Sequence, residues 1–342
     1  MRIVAVMTMR NESDVLEAWI RYYAALVDHI IILDNSSADN SCQIALELQK
    51  IGLPVTLDHD DQTGHIQSIR MTSLMRRAVR DFDADWVLLL DADELLVPPP
   101  NENRHECLSG LDQNKILQVA WRTYIPKPEV SKEPNPFKRL DHRLSSEMKT
   151  FYKVMVPKSV AKHHRTRVKM GNHSLKTSRS RSKIQQAPHG MFVAHYPVRS
   201  MDQLKTKILV GWLASLCSHT HTKGQNCHWK ELYDQFVTGE KGSKDITELS
   251  IGYIGGLEDG EKSPELVCDS VAPELLDFPL NCTIQQVSDP LEIFARTAED
   301  TAEMYGQLVK RLKKFERNPY ASFCLFLRSI LLSLGLVREK LM

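Results

Sequence analysis

What these 342 residues lack narrows the field at once. No apolar run of about 20 residues, the length a helix needs to span a bilayer, is uninterrupted. The formal net charge is +1, so no basic excess points to nucleic acid. There is no GxxxxGK(S/T) phosphate loop, no GxSxG nucleophile turn and no CxxC pair. The glycine-rich "IGYIGGLEDGEK" lacks the strand-to-helix setting of a dinucleotide fingerprint. The cysteines (Cys42, Cys107, Cys217, Cys227, Cys268, Cys282 and Cys324) are scattered and odd in number. That pattern fits free thiols in a reducing compartment better than a disulfide framework. The opening "MRIVAVMTMRNESD" carries an apolar run too short for a secretory leader, so a cytoplasmic location is expected.

What is present alternates strongly over the first hundred residues. Ile3–Thr8, His29–Asp34, Leu53–Asp58 and "DWVLLLDAD" are short apolar runs of buried-strand type. Between them stand helical periods. Leu16, Ile20, Tyr23 and Val27 share one face behind a cap at Asn11 or Ser13. "SADNSCQIALELQK" ends at Gly52. A third helix fits about residues 64–81, with Ile66, Ile69, Leu74 and Ala78 on one side. The result is β-α-β-α-β-α-β, an α/β fold with a mostly parallel sheet of Rossmann type covered by helices on both faces. Ligands of such sheets sit beyond the carboxyl ends of the strands. There the sequence sets Arg10, Asn11 and Glu12, then Asp34 and Asn35, then Asp58, Asp60 and Asp61, then Asp91, Asp93 and Glu94. Residues 1–200 read as one domain, with a mainly helical region over 201–342.

Asp91 and Asp93 follow a fully apolar strand. If extended geometry persists there, residues at i and i+2 point the same way, and the two carboxylates converge. Converging carboxylates repel unless a cation sits between them, and a hard divalent ion such as Mn²⁺ or Mg²⁺ resolves the conflict. A solvated turn is the alternative.

"MTMRNESDVLEAWIRYYAALVDHIIILDNSSADNS" followed by "WVLLLDADELL" resembles the family 2-like glycosyltransferases of the GT-A fold, over roughly the first hundred residues. "HYPVRS" near residue 200 resembles a recurring late element of that branch. Tyr22-Tyr23 departs from the branch's common Tyr-His. The resemblance implies a GT-A-like fold and transfer of a sugar from a nucleotide sugar, most simply a UDP-sugar, to a glycan or lipid-linked acceptor, with inversion at the anomeric carbon. It implies donor contacts from Arg10, Asn11, Glu12, Asp34, Asn35, Arg70 and Asp91. It implies a metal held by Asp91, Asp93 and a late histidine, matched by His195. An imidazole ligand predicts an acid limb of activity near the ordinary histidine pKa of about 6.5. The catalytic base has no motif of its own; Glu129, Asp141 and Glu147 are available, and Glu147 is preferred.

Other features carry plainer readings. Lys158–Lys183 holds nine Lys/Arg residues and no acid. It is either a solvated loop or an anion-binding one, and Gly171-Asn172-His173 within it has the look of a site turn. His219, His221, Cys227 and His228 fit no common zinc spacing. Tyr320–Val337, interrupted by Arg328, is expected either to pack on the core or to lie peripherally on a membrane surface. Two rivals stand beside the glycosyltransferase reading. A nucleotidyltransferase would normally need a glycine-rich loop after the first strand, which "MTMRNESD" lacks. A non-catalytic sugar-binding protein that kept the fold would show no turnover of any nucleotide sugar.

Overall fold

A computed structural model of the chain describes residues 1–60, 67–100, 107–108, 110–128, 131–147, 151–178, 183–216, 230, 232–234, 245–254, 264–271 and 273–286. The strands are β1 (Ile3–Met9), β2 (His29–Asp34), β3 (Val55–His59), β4 (Trp86–Leu90), β5 (Glu94–Val97), β6 (Ile116–Thr123), β7 (His142–Leu144), β8 (Tyr152–Pro157), β9 (Arg167–Val168), β10 (Leu175–Lys176), β11 (Ile184–Gln186), β12 (Phe192–His195) and β13 (Leu266–Cys268). The helices are α1 (Ser13–Leu26), α2 (Ser41–Lys50), α3 (Gln67–Phe82), α4 (Pro136–Arg139), α5 (Lys158–Ala161), α6 (Met201–Leu216) and α7 (Ile246–Tyr253).

Each buried strand serves two cores because successive side chains point to opposite faces. On β1, Ile3, Ala5, Met7 and Met9 pack with α1 and α2, while Val4 and Val6 pack with α3. Trp86, Leu88 and Leu90 of β4 join the first core, and Val87 and Leu89 the second. This two-sided demand is why the strands read as continuous apolar runs. The sheet order is β3-β2-β1-β4-β8-β6-β12-β5. β1 pairs in parallel with both β2 and β4, so the order reverses between β1 and β4. β8 runs antiparallel to β4 and β6, and β5 runs antiparallel to β12.

α3 differs from expectation in its face. Its buried stripe is Met71, Leu74, Met75 and Ala78, whereas Ile69 is 54% exposed. The i, i+3, i+4, i+7 stripe starts at Met71, and Ile69 lies about 200° round the helix from it. The cap of α1 also differs. Glu12 occupies the cap position without a side-chain cap bond, and Asn11 sits at φ 58°, a left-handed conformation Asn tolerates. Residues after 200 return to the sheet domain. β13 pairs with β7, and the backbone N–H groups of Asn281 and Cys282 donate to the Glu17 carboxylate. The compact unit runs Met1–Ile293. Among the described residues no helix is long and apolar enough to cross a membrane. Tyr320–Val337 and the His219–His228 group lie outside the described residues.

β5 is the last strand of the order, so one row of its backbone groups faces away from the sheet. α1 covers that row. Trp19 Nε1 and the Tyr23 hydroxyl both donate to Glu94 O (3.1 Å each), Tyr22 donates to Leu96 O (2.8 Å), and Leu96 N donates to the Tyr23 oxygen (2.7 Å). The Tyr at position 23 therefore has a structural use: it holds the strand that follows the acidic turn. In Tyr23→Phe, Glu94 O keeps Trp19 but Leu96 N is stranded in the interior. We expect a loss of about 1–3 kcal/mol in urea unfolding. An unchanged midpoint would remove this account of the edge.

Candidate active site

The strand-end loops are laced together before they present anything to a ligand. Asn11 N donates to Ser37 Oγ (3.0 Å), and Asn11 Oδ1 accepts from Ala38 N (2.7 Å). Arg70, largely buried on α3, donates to Asp60 Oδ2 (2.7 Å) and to Asn35 Oδ1 (2.9 Å), tying the ends of β2 and β3. Asp34 is buried and accepts from Ser37 N, with His59 Nδ1 at 3.6 Å. Arg10 is half-buried just after β1. The donor-contact residues expected from sequence thus gather at one rim, where Asn11, Asp34, Asn35 and Arg70 also shape the loops.

The acidic turn departs from the extended geometry that would aim Asp91 and Asp93 alike. β4 ends at Leu90, residues 91–93 turn, and Glu94 N closes the turn on Asp91 O (3.2 Å). The two carboxylates therefore meet different partners. Asp91 accepts from Lys153 Nζ (2.5 Å), Asn172 Nδ2 (3.1 Å) and Gln67 Nε2 (3.2 Å). Asp93 accepts from Lys207 Nζ (2.6 Å), with Arg199 and His195 Nε2 each at 3.9 Å. Glu94 is fully buried, and Lys153 Nζ lies 3.0 Å from its Oε1. Burial, Asp91 and Asp93 push Glu94 well above the usual carboxylate range, against the pull of Lys153. Burial would raise Asp93 too, but the permanent charges of Lys207 and Arg199 hold it well below that range.

Register explains how His195 arrives. It stands opposite Glu94 on one side and Thr123 on the other. Paired positions share a face, so the imidazole is carried to the acidic turn. The ring stacks on Trp121 at 4.1 Å between centroids. Burial, reinforced by Lys207, Lys153 and His173, pushes His195 down to about 3 against the attraction of Asp93. An acid limb near 6.5 is therefore not expected of His195, because its ring is already neutral there. Asp93, Glu94 and His195 bring ligand atoms within 4.8 Å of one another. Carboxylate oxygens with a neutral imidazole are a donor set suited to Mn²⁺, and less so to Mg²⁺. Asp91, drawn to Lys153, stands outside this group.

Glu147 lies one strand over. Its carboxylate accepts from Thr123 N (2.6 Å) and Thr123 Oγ1 (2.7 Å). Asp141 is bonded instead to His142 Nδ1 (2.6 Å), and Glu129 lies outside the described residues. Glu12 is drawn to Arg199 (2.6 Å), which also binds Asp14 (2.7 Å). The 171–173 turn does reach the site: Gly171 O accepts from Lys153 Nζ (2.9 Å) and Asn172 holds Asp91. Position 171 requires glycine. Its φ is +73°, and a Cβ there would fall 2.5 Å from the His173 ring.

Three cations were missed from sequence. Lys153 left a signal, since it interrupts the otherwise apolar β8 and is 2% exposed. Arg199 lay inside "HYPVRS" without an assigned role, and Lys207 left no pattern at all.

Residues 4–152 match the profile of Glycosyl transferase family 2. No curated protein matches the sequence. Among solved structures, S. aureus TarS residues 1–349 shares 10% identity over 69% of this chain and 71% of that one, with a TM-score of 0.37. The mannosyltransferase PcManGT from Pyrobaculum calidifontis, in complex with GDP-Man and Mn²⁺, shares 11% identity over 74% of this chain and 68% of that one, with a TM-score of 0.33.

Lys153 compensates a carboxylate that water cannot reach. Lys153→Met should cost about 1–3 kcal/mol, because Glu94, already pushed above its ordinary range, then takes up a proton and is left as a buried carboxyl without its partner. Asp91 is 29% exposed and can be solvated, so Glu94 is the stranded partner. A neutral Glu94 and a Gln at that position need the same partners, so adding Glu94→Gln to Lys153→Met should leave the loss in denaturant unfolding nearly unchanged. A single variant as stable as the parent would show that the pair contributes nothing.

Proposed function

We propose that this chain, whose residues 4–152 match the Glycosyl transferase family 2 profile, is a glycosyltransferase that moves a sugar from a nucleotide sugar to an acceptor hydroxyl with a divalent cation at the acidic turn. The observation that carries the reading is the meeting of Asp93, Glu94 and His195 within 4.8 Å, at the carboxyl ends of β4 and β12. Asp93 and His195 are the ligands we assign to Mn²⁺ or Mg²⁺. Asp91 is assigned to the donor side, where Lys153 and Asn172 hold it. When bound, the ion supplies Lewis-acid stabilisation of charge on the departing diphosphate.

The rest falls to the protein. Arg10, Asp34, Asn35 and Arg70 form the rim we assign to the nucleotide, a UDP-sugar being the first donor to try. In transfer, the bond from the anomeric carbon to the phosphate oxygen breaks, and its electron pair leaves with the nucleoside diphosphate. The acceptor oxygen bonds to that carbon and gives its proton to a base. We assign the base to Glu147: each of its oxygens keeps a second lone pair beyond the bond to Thr123. Attack from the face opposite the departing diphosphate inverts the centre. A glycan or lipid-linked acceptor, and action in the cytoplasm or at its membrane face, complete the reading.

A thermal-shift panel of UDP, GDP, UDP-glucose and GDP-mannose, with Mn²⁺ or with EDTA, tests it. A ligand at 100 times its dissociation constant stabilises the fold by about 2.7 kcal/mol. We expect a metal-dependent shift from one nucleotide class and slow hydrolysis of its sugar; a binder without hydrolysis would favour the non-catalytic reading.

Asp93→Asn should stay folded and lower turnover by about a hundredfold or more, the scale of losing one preorganised electrostatic contact. His195→Ala should raise the Mn²⁺ concentration needed for half-maximal rate by about tenfold or more, in line with the loss of a ligand or its support. Near-parent kinetics in both folded variants would remove the metal assignment.

A further inference from the structure

A cleft of about 750 Å³ opens beside the acidic turn. Its walls include Ile125–Pro128, just beyond β6, and Arg199–Met201, just beyond β12. β6 and β12 run parallel to each other and both end on the edge where β4 delivers Asp93. Arg199 joins the two places: it lines the cleft and approaches Asp93 to 3.9 Å. The volume lies within the range of small-molecule sites, about 300–1,000 Å³.

The charge of this cleft is unbalanced. Arg199 is already neutralised by Glu12 and Asp14, and His142 is bonded to Asp141. Lys138 reaches Asp277 at 3.2 Å, but that carboxylate is 85% exposed, and such pairs hold weakly. Two cations remain. Lys127 is exposed at the mouth. Arg139 is half-buried and donates to the Glu133 carbonyl oxygen (3.2 Å). Among the described residues, neither forms an ion pair with a carboxylate. Asp14 and Glu133 attract Arg139 but close no ion pair with it, so its half-buried guanidinium is only partly compensated. Burial, with a smaller push from Arg199, takes Arg139 below its ordinary range against the pull of Asp14 and Glu133. Guanidinium forks match phosphate and carboxylate geometry, and Leu140 and Ile246 give the same cleft apolar wall.

We propose that this cleft is the acceptor site, and that the acceptor carries a phosphate or carboxylate group bound by Arg139 and Lys127. The proposal rests on the glycosyl-transfer reading for the word acceptor, but the anion site stands on its own geometry. The neutralised Arg199 serves as the wall between the bound anion and the acidic turn, keeping like charges apart.

Calorimetry on the full chain, with UDP and Mn²⁺ present in excess, tests it using glucose 6-phosphate, glucuronate and glucose. We expect glucose 6-phosphate or glucuronate to bind and glucose not to; which of the two binds tells phosphate from carboxylate. Arg139→Gln and the exposed Lys127→Glu should each weaken that binding by about tenfold or more, the scale of one lost charged hydrogen bond. Both should leave UDP affinity unchanged, and Arg139→Lys should keep part of the anion affinity. Charged and neutral sugars binding alike, or anion affinity unmoved in both folded variants, would overturn the inference. A chain that binds neither UDP nor GDP with Mn²⁺ fails instead as a glycosyltransferase, and Arg139-dependent anion binding would still be read directly.

Discussion

Carboxylates crowded at the point where the strand order reverses repel one another, and everything around the site answers that repulsion. Asp91, Asp93, Glu94, Glu12 and Asp14 lie close together on the carboxyl edge of β1 and β4. Lys153, Arg199 and Lys207 enter from β8, from the segment after β12 and from α6 to balance them. Their burial makes the balance strict, since an unpaired ion in the interior is far costlier than the same ion in water. The cations come from parts of the chain 59 to 187 residues away from the acids they meet. The site thus fastens distant segments to the first hundred residues.

Around that charge cluster the structure separates support from chemistry. α1 holds β5 through Trp19, Tyr22 and Tyr23, and so fixes the far side of the acidic turn. Arg70 and Asn11 bind neighbouring loops to one another. Gly171 lets its turn close over Lys153 because only a residue without a Cβ clears the His173 ring. These contacts hold in place the strand and loops that surround the acidic turn. The cleft beyond β6 and β12 differs: among the described residues Lys127 and Arg139 close no ion pair there.

Much of this was legible in the chain itself. Short continuous apolar runs separated by helical periods can satisfy their backbone groups and bury both sheet faces in few ways, so the first four strands and three helices followed from local pattern. The strand ends, and hence the rim of Arg10, Asp34, Asn35, Asp91 and Asp93, followed from the parallel topology. Even the site turn at Gly171-Asn172 stood out by residue type. Ile69 shows the limit of that reading: an apolar residue was assigned to the buried face, but the position of the stripe is set by which turn of the helix meets the sheet.

Tertiary structure alone decided the partners. Sequence spacing implied that Asp91 and Asp93 act as a pair, but a turn after Leu90 sends one to Lys153 and the other to Lys207. His195 could be named from resemblance, yet only the β5–β12–β6 register puts it opposite Glu94, and only burial against Trp121 makes it neutral far below its ordinary pKa. Ion pairing across scores of residues leaves no local period to read, since a lysine bound to a buried acid and a lysine in solvent look the same in one dimension. Local pattern determines which elements form, because backbone geometry and burial act over a few residues. Which charges meet depends on the sheet order and on the loops that return to it.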